Sequence, residues 1–181
     1  MSGTPLAVRA LRDDDGVALT SFLSGLSPTS TRFWHGATSA ADAAADWIEA
    51  IGRYDKLRLV AHHPDRPAEF AGVVDLSFSL PVEAELSRYA GYGITLDENR
   101  TVRFGPCVAD AWQGRGLAAH LLPPAWDAAR LFGRDCVVLF GGVHADNHRA
   151  RRFYQRHGFT EVGAFSNTDG DCIDMMRHLV R

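Results

Sequence analysis

The residues best suited to binding chemistry lie between Gln113 and Ala118, in Gln113-Gly114-Arg115-Gly116-Leu117-Ala118. They follow a strand-like run, Val102–Ala109, and precede an apolar run with helical spacing. Glycines on both sides of Arg115 let the main chain turn sharply and approach a ligand closely. The first amides of the following helix have no intrahelical acceptor, and the helix dipole favours negative charge there. Such a turn can cradle a phosphate.

Three phosphate-loop patterns can be compared with this stretch. The Gly-Lys-Ser/Thr ending of the P-loop is absent. A dinucleotide fingerprint needs a third small residue, and Gly114-x-Gly116 continues to Ala119. That pattern also wants an acid ending a second strand, whereas Asp135 stands at the start of the next apolar run. The third pattern is Gln/Arg-x-x-Gly-x-Gly/Ala, matched by Gln113, Gly116 and Ala118. Downstream, Asn147, Ala150, Tyr154, Gly158 and Phe159 match Asn-x-x-Ala-x-x-x-Tyr-x-x-x-Gly-Phe. With both motifs in order, residues 100–165 resemble the GNAT superfamily of N-acetyltransferases. The wider pattern looks most like bacterial members related to protein-lysine acetyltransferase domains.

The resemblance implies a mixed α/β (α+β) GNAT-like fold, with a central, mostly antiparallel sheet, splayed central strands and flanking helices. It implies a single domain over residues 1–181 and acetyl-CoA as co-substrate, with no metal. The amides of Gly114, Arg115, Gly116, Leu117 and Ala118 would take the pyrophosphate, with Gln113 opening the turn. The main chain of Cys107 and Val108 would run beside the pantetheine arm. Asn147 would hydrogen-bond that arm, and Arg151, with Arg149 and Arg152, would meet the 3′-phosphate. Tyr154 would protonate the departing thiolate. Tyr154 lies seven residues after Asn147, two helical turns on. The acceptor would be a primary amine: a protein lysine or N-terminus, or a small molecule. Trp34 and Asp75 are the candidate acceptor contacts, with His35 beside them.

No single residue is marked as the general base. The strand positions where many relatives carry a glutamate read Arg103 and Gly142 here. Asp75, Glu83, Glu85, His144 and a water chain are the candidates. The missing strand carboxylate keeps a second reading open, that of a non-catalytic acyl-CoA-binding regulatory module.

Composition bounds these readings. The 181 residues suffice for one buried core. They are 46% hydrophobic and 23% charged, which is ordinary for a soluble globular chain. A formal net charge of −3 argues against nucleic acid as the main partner. No apolar run approaches membrane-spanning length and no leader is evident, so a cytoplasmic protein without membrane contact is expected. Homodimerisation is left open. Cys107, Cys136 and Cys172 form neither a disulfide framework nor a zinc pattern.

The elements that must position the motifs can be read in order. Leu6–Leu11 is a strand, and Asp13-Asp14-Asp15 is expected to cap a helix burying Val17, Phe22 and Leu26. Ser27-Pro28 starts a new helix, and Ser39 caps another with Ala44, Trp47, Ile48 and Ile51 on one side. Leu57–Ala61 and Phe70–Phe78 form a hairpin, with His62-His63 expected in its solvated connection. Residues 81–100 read as an insertion holding a short helix near Val82–Tyr89 and a turn at Asp97-Glu98-Asn99. Pro106 should disturb the strand feeding the glycine turn. Pro123-Pro124 should kink or break the following helix near Leu122. Cys136–Val143 reads as one buried strand, Asn147–Gly158 as a capped helix, and Phe159–Leu179 as a closing hairpin.

Overall fold

The computed structural model describes residues 6–32, 39–53, 55–79, 83–139, 141–168 and 170–179. In chain order the elements are β1 (Ala7–Ala10), α1 (Gly16–Ser24), α2 (Pro28–Arg32), α3 (Ala40–Glu49), β2 (Lys56–His63), β3 (Arg66–Ser77), α4 (Glu83–Gly91) and β4 (Thr101–Val108). Then come α5 (Leu117–Leu131), β5 (Cys136–Leu139), β6 (Val143–His144), α6 (His148–Arg156), β7 (Thr160–Asn167) and β8 (Gly170–His178). This is the expected mixed α/β class, and its strand pairs are mostly antiparallel. The chain forms two compact units: residues 1–76 with 106–127, and residues 77–105 with 128–181.

In the first unit, β1 pairs antiparallel with β2, Ala7 opposite His62, and β3 is the next strand. The end of β4 runs beside β3, where the Ala109 N–H donates to the Ala71 carbonyl at 2.9 Å. Helices α1 and α3 pack together over this sheet, burying Leu19, Phe22, Leu23, Ala44, Val60 and Val73. Two expectations about α1 need correction. Val17 is 86% exposed. At 3.6 residues per turn it lies about 140° around the helix from Phe22, so Ala18 and Leu19 take its place. The Asp15 carboxylate does not cap the helix. It turns back to Arg9 (2.6 and 2.8 Å) and to the Arg12 N–H (2.8 Å). Ser39 does cap α3, accepting from the Asp42 N–H at 3.0 Å.

The β2–β3 connection is tighter than expected. β2 continues through His63 and β3 starts at Arg66, which leaves Pro64-Asp65 between them. His62 is therefore a buried strand residue, with Nδ1 3.0 Å from the His63 carbonyl oxygen, rather than part of a solvated loop.

The proline pair does not break α5, which runs without interruption from Leu117 to Leu131. Leu121, Leu122, Ala125, Trp126 and Ala129 are all buried along one face, spanning both sides of the prolines. Burying such side chains is worth about 1.5–3 kcal/mol each for the larger ones, enough to offset two missing ladder bonds. Pro123 faces solvent.

In the second unit, β4 pairs parallel with β5 from Thr101–Cys136 to Phe104–Leu139. β8 pairs antiparallel with β5, β6 and β7. The expected single strand over residues 136–143 is two strands. Gly141 and Gly142, at φ 67° and 75°, turn the chain between β5 and β6. A side chain at Gly142 would meet the Ile173 carbonyl oxygen at 2.9 Å and the Phe165 ring at 3.0 Å, so this turn needs glycine.

Helix α4 is anchored by charge. Arg88 on α4 reaches Asp174 on β8 with Nε–Oδ2 at 2.5 Å and Nη2–Oδ1 at 3.1 Å. Asp174 is fully buried and also accepts from the Tyr92 hydroxyl at 3.2 Å. Tyr89, Cys136, Val138 and Met176 supply the apolar contact beneath α4.

Candidate acyl-CoA site

The Gln113–Ala118 turn has the geometry its composition demands. A short 3-10 turn, Asp110–Trp112, delivers the chain from β4. Gly114 and Gly116 then take φ values of 76° and 84°, a region unfavourable to residues with a Cβ. Among the described residues, no main-chain carbonyl accepts from the N–H of Gly114, Arg115, Gly116, Leu117, Ala118 or Ala119. The first amide to find one is that of His120, donating to Gly116 at 3.1 Å. Gly114, Arg115 and Gly116 are exposed. The result is three exposed residues, Gly114 to Gly116, leading into the positive end of a 15-residue helix whose first amides have no main-chain acceptor among the described residues.

Gly72 on β3 explains how the helix seats so closely. A Cβ there would lie 3.2 Å from the Cys107 carbonyl oxygen and 3.3 Å from both Leu117 and Leu121. The Cys107 thiol is buried, and burial, with the nearby Asp110 charge, pushes it up to about 12. Burial raises the Cys136 thiol as well. Both thiols are buried, away from the exposed, electropositive setting of a reactive cysteine.

Side chains fix the approach to the turn. Gln113 Nε2 donates to the Val108 carbonyl (3.2 Å) and to Ser30 Oγ (2.9 Å). Asp110 accepts from the Ser27 N–H (2.9 Å), Ser27 Oγ (2.8 Å) and Ser30 Oγ (2.7 Å). Those hydrogen bonds, the Ser27 N–H first, hold the Asp110 carboxyl below the usual range. The sequence marked Gln113 but gave no sign of Ser27, Ser30 or Asp110, whose meeting depends on contacts about 80 residues apart.

The Asn147 side chain caps α6, accepting from the Ala150 N–H at 3.1 Å, so its amide nitrogen is the group left to donate. Arg151 reaches Glu161 through Nε and Nη2 (3.1 and 2.8 Å) and the Ala145 carbonyl through Nη1 (3.0 Å), whereas Arg149 and Arg152 are exposed. Tyr154, on the same helix as Asn147 and Arg151, is buried edge-on against Phe159 with ring centroids 5.3 Å apart. Gly158, at φ 80°, ends the helix. The second unit thus gathers Asn147, Arg151 and Tyr154, as the first gathers Cys107, Val108 and residues 113–118.

Asp75 pairs with Arg58, Nε–Oδ1 3.3 Å and Nη2–Oδ2 3.4 Å, and Trp47 covers the Arg58 guanidinium at 4.3 Å. Trp34 and His35 lie outside the described residues. Among the base candidates, Glu83 is exposed, Glu85 contacts Arg103 at 3.4 Å and Arg88 at 4.0 Å, and His144 is buried on β6.

Residues 37–159 match the model of the acetyltransferase (GNAT) family. The chain belongs to that family. Its fold is similar to the GNAT domain of S. lividans PAT (23% identity, 95% of this chain and 89% of that one, TM-score 0.72). It is also similar to a GNAT acetyltransferase from Streptococcus pneumoniae (16%, 97% and 100%, 0.70). An aminoglycoside acetyltransferase solved with coenzyme A shares the fold too (17%, 96% and 95%, 0.71). No curated protein sequence matches the chain. Among the described residues, no helix of this family member is long and apolar enough to cross a membrane.

Proposed function

We propose that this acetyltransferase moves an acetyl group from acetyl-CoA to a primary amine by direct attack of the amine on the thioester. The carrying observation is that, among the described residues, no main-chain carbonyl accepts from the amides of Gly114 to Ala119 at the head of α5. That donor set suits a diphosphate: several N–H groups at the positive end of a helix, exposed from Gly114 to Gly116, and with no main-chain acceptor among the described residues. Acetyl-CoA supplies the activated acyl group. Gly114–Ala118 would hold its diphosphate, the main chain of Cys107 and Val108 the pantetheine arm, and the Asn147 amide nitrogen would donate to that arm.

Direct attack is favoured over a cysteine acyl-enzyme because Cys107, Cys136 and Cys172 are all buried, away from the exposed setting a nucleophilic thiol needs. Tyr154 is the general acid in this reading, giving its phenolic proton to the thiolate as the C–S bond breaks, while the proton lost by the attacking amine passes to water and restores the phenol. The acceptor is an amine on a protein or a small molecule. Spermidine and aminoglycoside acetyltransferases are among the folds similar to this one. The reaction is set in the cytoplasm and needs no metal.

Thiol release from acetyl-CoA, followed across polyamines, aminoglycosides and lysine peptides, tests this reading. Amine-dependent release with N-acetylated product supports it. Tight CoA binding with no release for any amine would instead make the chain a regulatory acyl-CoA module.

A further inference from the structure

Among the described residues, no main-chain carbonyl accepts from the amides of Gly114 to Ala119, so main-chain hydrogen bonds contribute little to the shape of the glycine turn. Two glycines at positive φ add freedom, because glycine adopts many conformations at similar energy. Order must therefore come from side chains outside the turn. Asp110 takes three hydrogen bonds from Ser27 and Ser30, and Gln113 ties Ser30 to the Val108 carbonyl. Ser27 itself starts α2, accepting from the Ser30 N–H at 3.3 Å and, through its carbonyl, from the Thr31 N–H at 2.9 Å. The turn is thereby fastened at both its entry and its first residue to a helix distant in sequence.

We propose that Ser27, Ser30, Asp110 and Gln113 form a brace that pre-shapes the Gly114–Ala118 turn, and that affinity for the CoA diphosphate depends on it. The inference rests on the acyl-CoA reading of that turn. The four are positioning residues, acting through the amides. Asp110 makes the idea sharp, because its two effects oppose each other. As a charge, it repels a diphosphate bound a few residues on. As an acceptor for three donors, it holds the donors' frame still and lowers the ordering cost of binding. If the charge dominates, removing it tightens CoA binding. If the brace dominates, removing it weakens CoA binding.

The test measures the Kd of CoA and of pantetheine, which lacks the diphosphate, by calorimetry at low and high salt. The proteins are wild type, Asp110→Ala, Asp110→Asn and the double variant Ser27→Ala/Ser30→Ala, each checked for folding by circular dichroism and Tm. The serine double variant changes no charge. The brace predicts about tenfold weaker CoA binding for Asp110→Ala and for the serine pair, a smaller loss for Asp110→Asn, little salt dependence of these losses, and unchanged pantetheine binding. Asp110 variants that bind CoA as tightly as wild type or tighter, or a serine pair indistinguishable from wild type, overturn the brace alone. A wild-type protein that does not bind CoA overturns the acyl-CoA reading and the brace with it.

Discussion

Gly116→Ala gives the most direct test of the turn. Gly116 sits at φ +84°, and a Cβ built there meets nothing within 4 Å. The substitution therefore adds backbone strain without a clash. An L-residue in the left-handed region costs about 1–2 kcal/mol. For a chain of this size that lowers Tm by roughly 2–8 °C. If the turn relieves the strain by rotating, the amides around Gly116 lose their common direction. A hydrogen bond to a charged group is worth about 1.5–3 kcal/mol, so losing one weakens CoA binding roughly 10- to 150-fold. Gly133→Ala is the matched control: its φ is +72° and its surroundings are equally open, but it ends α5 rather than starting it. Calorimetric CoA affinities and melting curves of both variants separate strain from binding. The reasoning fails if Gly116→Ala binds CoA as Gly133→Ala does.

Tyr154→Phe should lower turnover about 10²- to 10⁴-fold while leaving the Kd for acetyl-CoA close to wild type; steady-state rates alongside calorimetry check both halves. Cys107→Ala should retain turnover, because a buried protonated thiol carries no acyl group; loss of activity in a folded variant would restore the acyl-enzyme route. The Cys107 thiol is raised from 9.0 to about 12 in the fold, so its contribution to stability is complete below about pH 9 and is lost as pH rises toward 12. Urea unfolding across that window should show wild type losing stability faster than Cys107→Ala. Arg88→Met leaves Asp174 buried without its cation and should cost about 3–5 kcal/mol, read as a fall in urea midpoint.

The glycine turn, the Asn147 cap, the helix that carries Tyr154 two turns on, and the Gly158 stop were legible because each is a local matter. Positive φ selects glycine, a helix start selects a short polar side chain, and seven residues make two helical turns. The family could be read from those spacings alone. Other features depended on what packs against what. Pro123-Pro124 reads as a break, yet a continuous buried face holds α5 together across it. Residues 136–143 read as one strand because uniform hydrophobicity does not reveal the bend that Gly141 and Gly142 allow. His62 and Val17 exchanged their expected environments through strand length and helix phase.

The site divides along the same line. Composition determined that residues 113–118 could present amides to an anion, because that depends on a few adjacent dihedral angles. Tertiary structure alone brought Ser27 and Ser30 to Asp110 and Gln113, and Arg88 to Asp174. Those contacts join segments about 80 residues apart, and at that separation the partner of a polar side chain is chosen by the fold rather than by its neighbours in sequence.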